Sequence, residues 1–272
     1  MSLLHAVILG IVQGITEFLP VSSSGHLALF HAAFDYAGDE SAAELLFDVV
    51  LHMGTLVSVF IVLRKEIWAL IRKPFQKTTA LLIMATVPII PAALLFRDNI
   101  DALRTNMPFL MVGFVITALL LFYADRVNKT HLTKEIKDVR LTDALVVGIM
   151  QAVAICPAIS RSGSTTAASL FRKMKREDAA KFVFLLSIPS ILGAAVMEGR
   201  GVITGAIELS AGDMINMAFG FFAAVLSGYL AVNLVFKLIQ QAKLRYFSFY
   251  LFALAAFVGV DTFLLNGMFF GR

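Results

Sequence analysis

Long apolar runs, interrupted at regular places by short polar inserts, dominate this chain. Segments 45–63, 79–96 and 108–123 in the first half, and 182–197, 214–236 and 247–265 in the second, are predominantly apolar. Each approaches the ~20 residues, at 1.5 Å rise, that a helix needs to cross a bilayer. Ahead of each set stands a shorter, broken pair: 3–19 with 27–34, and 141–155 with 165–171. A helix over 27–34 would extend only ~12 Å, so this pair is expected to enter and leave on one face. Pro20 and Gly25 interrupt it. Broken backbone at that depth is tolerated only inside protein or beside a wet cavity. The pattern predicts an all-α membrane protein.

The two halves repeat. Subtracting 138 lays Gln151 on Gln13, Ser160 on Ser22, Ser162 on Ser24 and Gly163 on Gly25, with Arg161 where the first copy has Ser23. The expected architecture is a single integral membrane domain, 1–272, built of repeats 1–134 and 139–272. Each repeat holds one re-entrant helix pair and three transmembrane helices. Three crossings per repeat is odd, so the repeats are expected in inverted topology.

Charge orients this arrangement. Only 15% of residues are charged and mean hydropathy is +0.84, against ~25% charged in soluble domains. With the N-terminus outside, 18 lysines and arginines fall in inner segments and four (Arg97, Arg104, Arg200 and Arg272) in outer ones. That bias follows the positive-inside rule and puts both termini, and the first broken pair, on the outer side of the membrane. It also accounts for the net +4 without a nucleic-acid partner. Met1 to His5 lack a basic stretch, so no cleaved signal is expected. The single cysteine, Cys156, excludes an internal disulfide. There is no Walker lysine, zinc-ligand spacing or dinucleotide fingerprint, so ATP-driven work and NAD chemistry have no support.

The chemistry is concentrated in the two inserts. Gln13 and Glu17 lie four apart, on one helix face. A carboxylate in a membrane segment costs at least ~2.5 kcal/mol and points to function; a structural pairing of Glu17 with Arg161 is the competing reading. Ser22, Ser23, Ser24 and Gly25 precede a new helix, where hydroxyls cap and free N–H groups cradle anions. Ser160, Arg161, Ser162 and Thr165 offer the same cradle with a guanidinium fork suited to phosphate. His26, three residues from Ser23, fits a nucleophilic or acid/base role in phosphoryl chemistry. Asp48 and His52, also four apart, are expected either to support the site or to pack.

These two motifs, Gln13-xxx-Glu17 with Pro20-Val-Ser-Ser-Ser-Gly-His26, and Pro157-Ala-Ile-Ser-Arg-Ser-Gly-Ser-Thr165, closely resemble those of the undecaprenyl-pyrophosphate phosphatase family of bacitracin-resistance membrane proteins. The resemblance spans essentially the whole chain. It implies removal of the terminal phosphate of undecaprenyl diphosphate, which recycles the lipid carrier of cell-wall synthesis. It further implies Glu17, Ser23, His26, Ser160, Arg161 and Thr165 as site residues, and a divalent cation, Mg or Ca, for which Glu17 is the candidate ligand. No organic cofactor is implied. The expected partners are a polyprenyl diphosphate lipid, the surrounding membrane lipid and a second copy in a homodimer. One position departs from the family: Ala158 follows Pro157 where glycine is usual. Alanine is expected to tighten that turn, since it does not reach glycine's conformations. Two questions stay open at this level: whether Ser23 or His26 is the nucleophile, and whether the same anion site serves a polyprenyl-phosphate flippase.

Overall fold

The computed structural model describes residues 1–34, 42–127, 129–203, 209–240 and 243–270, with the side chains of 42–45, 97–101, 129, 198–203 and 240 outside that description. Arg97, Lys129, Arg200 and Arg272 of the charge count therefore lie outside the described side chains. Among the described residues the chain is helical apart from turns and one bridged pair, Lys134 with Met174.

The first broken pair is α1 (Leu3–Phe18) and α2 (Ser23–Ala33). The Ser2 hydroxyl accepts the His5 N–H at 3.2 Å and starts α1. Leu19 ends it in an extended conformation, φ −65° and ψ 143°, as the residue before a proline tends to do. Then come α3 (Ala42–Val62), α4 (Arg64–Arg72), α5 (Lys77–Thr86), α6 (Ile89–Arg104) and α7 (Met107–Asp125). The second pair is α8 (Leu141–Val153) and α9 (Arg161–Phe171), followed by α10 (Arg176–Ile203), α11 (Ala211–Gln240) and α12 (Leu244–Leu264). Among the described residues five stretches are long and apolar enough to cross a bilayer, and the bent α3–α4 pair makes a sixth. They match the six expected spans.

Two features depart from the sequence reading. The span expected at 79–96 is α5 and the first half of α6, broken at Val87 and Pro88 yet apolar over Lys77–Phe96. The basic inner segment after α3 forms a helix of its own, α4, turned 83° from α3. It buries Ile67, exposes Trp68 and Ile71, and places Arg72 over the Trp68 ring at 5.2 Å. An amphipathic, basic, Trp-bearing helix suits the membrane interface.

Close helix contact positions the two broken pairs. A methyl group at Gly10 would lie 2.3 Å from the Gly220 carbonyl of α11, and one at Gly14 would lie 1.9 Å from Ser227 Oγ. On the second pair, a methyl at Gly148 would meet the Ala85 carbonyl of α5 at 2.6 Å. Within membranes such small-residue seams let backbones approach closely where lipid offers no hydrophobic drive. α1 is thereby locked against α11 and α8 against α5. α7 packs on α12 through Leu110, Phe114, Leu121, Leu251 and Val258, all buried. The outward faces of α6, α11 and α12 carry Leu94, Leu95, Phe222, Leu226, Phe263 and Leu264, all well exposed, as a lipid-facing surface requires.

Candidate active site

The two inserts meet. Ser22 caps α2, its Oγ accepting the Gly25 N–H at 3.3 Å, and Ser160 caps α9 by accepting the Gly163 N–H at 3.0 Å. Within each insert the paired hydroxyls touch, Ser22 with Ser24 at 3.3 Å and Ser160 with Ser162 at 3.2 Å. Ser162 Oγ donates to the Leu19 carbonyl at 3.0 Å and so ties one tip to the other. Helix geometry leaves the first-turn N–H groups of Ser23, Ser24, Arg161 and Ser162 without intrahelical acceptors. All four residues border one cavity of about 690 Å³.

Backbone strain accompanies these turns. Ser22 sits at φ 69° and Ala158 at φ 62°, left-handed conformations that cost a non-glycine residue ~1–2 kcal/mol. The expectation that Ala158 would avoid glycine's conformation is corrected here. Packing imposes it: Ala158 is fully buried, and its Cβ lies 2.9 Å from where a methyl on Gly113 of α7 would stand.

Glu17 is the hub. Its side chain is 3% exposed, and four donors or ring nitrogens converge on it from four other positions. Oε1 receives the Arg161 guanidinium. Oε2 accepts from Gln13 Nε2 at 3.0 Å and from Ser23 Oγ at 2.6 Å, and His52 Nε2 stands 3.4 Å away. Ser23 thus points its proton at a desolvated carboxylate, and Arg161 carries positive charge to the same cavity wall.

The remaining sequence candidates divide by position. Glu17, Ser22, Ser23, Ser24, Ser160, Arg161 and Ser162 border the cavity. Gln13 is fully buried and reaches the cavity only through Glu17. Gly25 stands against the Phe114 ring, where a methyl would come within 2.7 Å. Thr165 Oγ1 donates to the Arg161 carbonyl at 2.7 Å, holding the first turn of α9. His26 is turned away from the cavity: Nδ1 donates to the Ser22 carbonyl at 2.7 Å, and Nε2 meets the Tyr250 hydroxyl at 2.7 Å. The imidazole is 5% exposed and stacks on Tyr250.

Three further ionisable residues border the cavity: Asp48 and His52, which the sequence left between supporting the site and packing, and Arg104, which it did not single out. Asp48 takes His31 Nε2 at 3.2 Å and Arg104 Nη1 at 3.8 Å. The i, i+4 spacing of Asp48 and His52 was the available signal. Arg104, near the end of α6, carried none.

A divalent cation fits this donor set poorly. Among the described residues no three His, Cys, Asp or Glu side chains converge. Both Glu17 oxygens already face donors, one of them a guanidinium, whereas Mg²⁺ and Ca²⁺ need several free oxygen ligands.

Most of the rest of the cavity wall is apolar, with Thr86 and Ser190 its polar members. Ile89, Ile90, Ala93 and Leu94 of α6 face Ile191, Leu192, Val196 and Met197 of α10. Leu94 and Val196 are also strongly exposed at the protein surface, so the cavity continues to the lipid-facing side between these helices.

A family model described as bacitracin resistance protein BacA matches residues 6–257. Among curated relatives, the undecaprenyl-diphosphatase of Carboxydothermus hydrogenoformans is 43% identical over 254 residues, covering 93% of this chain and 95% of the relative. Undecaprenyl-diphosphatase 4 of Bacillus thuringiensis strain Al Hakam is 40% identical over 258 residues, covering 95% and 96%. The undecaprenyl-diphosphatase of Methanococcus maripaludis is 36% identical over 261 residues, covering 94% and 98%.

Proposed function

This chain belongs to the bacitracin resistance protein BacA family, and from that premise we propose how its site performs the reaction. The protein is a membrane-embedded hydrolase, an undecaprenyl-diphosphatase that converts undecaprenyl diphosphate to undecaprenyl phosphate and inorganic phosphate. The observation that carries the mechanism is the 2.6 Å contact from Ser23 Oγ to Glu17 Oε2 beside Arg161 at the cavity wall.

Substrate binds with its diphosphate between the two tips. Arg161 leaves Glu17 for the phosphoryl oxygens, forming the bidentate pairing that a guanidinium favours. The first-turn N–H groups of α2 and α9 and the positive ends of both helices add to the cradle. The polyprenyl chain leaves through the apolar gap between α6 and α10. Ser23 Oγ attacks the terminal phosphorus while its proton passes to Glu17 Oε2. The bond between that phosphorus and the bridging oxygen breaks, releasing undecaprenyl phosphate. Water then hydrolyses the Ser23 phosphoester, and the hydroxyl recovers its proton. Ser23 is the nucleophile in this reading because it borders the cavity and faces a base. His26, with both ring nitrogens committed behind the turn, fixes the strained Ser22 carbonyl that presents Ser23.

The inverted-repeat arrangement is part of the proposal. Gly10 and Gly148, 138 residues apart, make equivalent close contacts, each with a span of the opposite half. In this reading, which the charge bias supports, the His26 tip faces the outer side, where a diphosphate carrier is left after its cargo is transferred. The test is phosphate release from a C55 diphosphate by purified protein in detergent, where no second compartment exists. Wild type should turn over and Ser23→Ala should not. No release by wild type would favour a carrier.

A further inference from the structure

His52 has no assigned part in this chemistry, yet it stands beside the reacting carboxylate. It belongs to α3, borders the cavity and is 25% exposed there. Its Nδ1 lies 2.7 Å from the Asp48 carbonyl. A carbonyl only accepts, so Nδ1 carries the hydrogen, and in the neutral ring Nε2 presents a lone pair. That lone pair faces Glu17 Oε2 at 3.4 Å. At that separation a proton on either atom can be shared with the other. The proton that closes the gap is the one Ser23 gives up.

We infer that His52 is the proton reservoir behind Glu17, an inference that rests on the attack by Ser23 set out above. When Ser23 Oγ bonds to phosphorus, its proton moves to Glu17 Oε2. The resulting O–H donates to His52 Nε2, and the proton passes on to leave an imidazolium and a carboxylate. Glu17 is thus restored as an anion before water attacks. On hydrolysis of the phosphoester the path runs in reverse, and the imidazolium proton returns through Glu17 to Ser23 Oγ, while the water proton leaves with inorganic phosphate. The charges facing the ring suit this role. The charged groups around the ring are Glu17 of α1, Asp48 of its own helix, Arg161 of α9 and Arg104 of α6, while the α10 wall from Pro189 to Met197 is uncharged. His52 acts through Glu17, and so is a positioning and relay residue.

The experiment measures steady-state phosphate release from C55 diphosphate in detergent by wild type, His52→Gln and His52→Ala, with added imidazole. Gln keeps a side chain of similar reach but takes up no proton, and elution as a monodisperse species checks its fold. Both variants should lose about 10²-fold in kcat, with KM within threefold of wild type, and imidazole should restore most of kcat to His52→Ala alone. A His52→Gln kcat within threefold of wild type would overturn the inference. So would a loss confined to KM, or a loss in kcat that imidazole leaves unchanged in His52→Ala. Failure of wild type to release phosphate would instead strike the phosphatase reading itself.

Discussion

Glu17→Gln separates the two jobs that the geometry gives this residue. The substitution keeps size and one acceptor oxygen but removes the charge and the ability to take a proton. Lost general-base catalysis is typically worth ~10²–10⁴-fold, or about 3–5 kcal/mol of barrier. Ser23 and Gln13 both donate to Oε2, and the side chain is 3% exposed, so water does not stand in for the missing base and the upper part of that range applies. The effect on binding has the opposite sign. Arg161 pairs with Glu17 in the unliganded protein and must be released to hold phosphate; an amide competes with the diphosphate far less than a carboxylate does. KM should therefore stay level or fall while kcat drops ~10³–10⁴-fold, the signature of an interaction made in the transition state and opposed in the ground state. Phosphate release at saturating and sub-saturating C55 diphosphate gives both constants. A KM that rises tenfold with kcat within tenfold of wild type would refute the reasoning, because Glu17 would then be a binding group.

Other expectations follow from the same geometry. Arg161→Lys keeps the charge but loses the fork, so kcat/KM should fall ~10²-fold; near-normal turnover would show that a point charge suffices. Gly14→Ala drives a methyl to 1.9 Å from Ser227 Oγ and 2.6 Å from the Gly228 nitrogen. The α1–α11 seam must open, carrying Glu17 away from Ser23, so both thermal stability in detergent and kcat should drop, and an unchanged Tm would contradict the seam. Lys137 and Lys175 hydrogen-bond the Glu135 carboxylate in the connecting loop and hold its pKa at about 2. A depressed carboxyl stabilises the fold above its usual titration near 4.5 and loses that contribution as pH falls toward 2. Unfolding curves of wild type and Glu135→Gln should differ at neutral pH and converge in acid; a gap that widens on acidification would reverse the assignment.

Local rules made much of this legible in the chain alone. Helical spacing put Gln13 beside Glu17, run length separated the spans from the short broken pairs, and the serine three residues before each glycine marked a helix start. Those are properties of a few consecutive residues, and the fold keeps them. Which way each side chain faces across helices was decided by packing. Gln13 and Gln151, 138 residues apart, sit in similar sequence surroundings, yet one holds Glu17 while the other donates to the Ala85 carbonyl and accepts from Ser190. His26 carries the expected chemistry but is turned to Tyr250, 224 residues away. His52 and Arg104 reach the cavity only because α3 and α6 are set beside the two tips. The physical reason is the glycine seam: α1 rests on α11 wherever Gly10 and Gly14 allow backbone contact, and that rotation fixes which face of the helix carries Glu17 toward Ser23, Arg161 and His52. No periodicity within α1 encodes the rotation, because it depends on the shape of a helix more than 200 residues further along the chain.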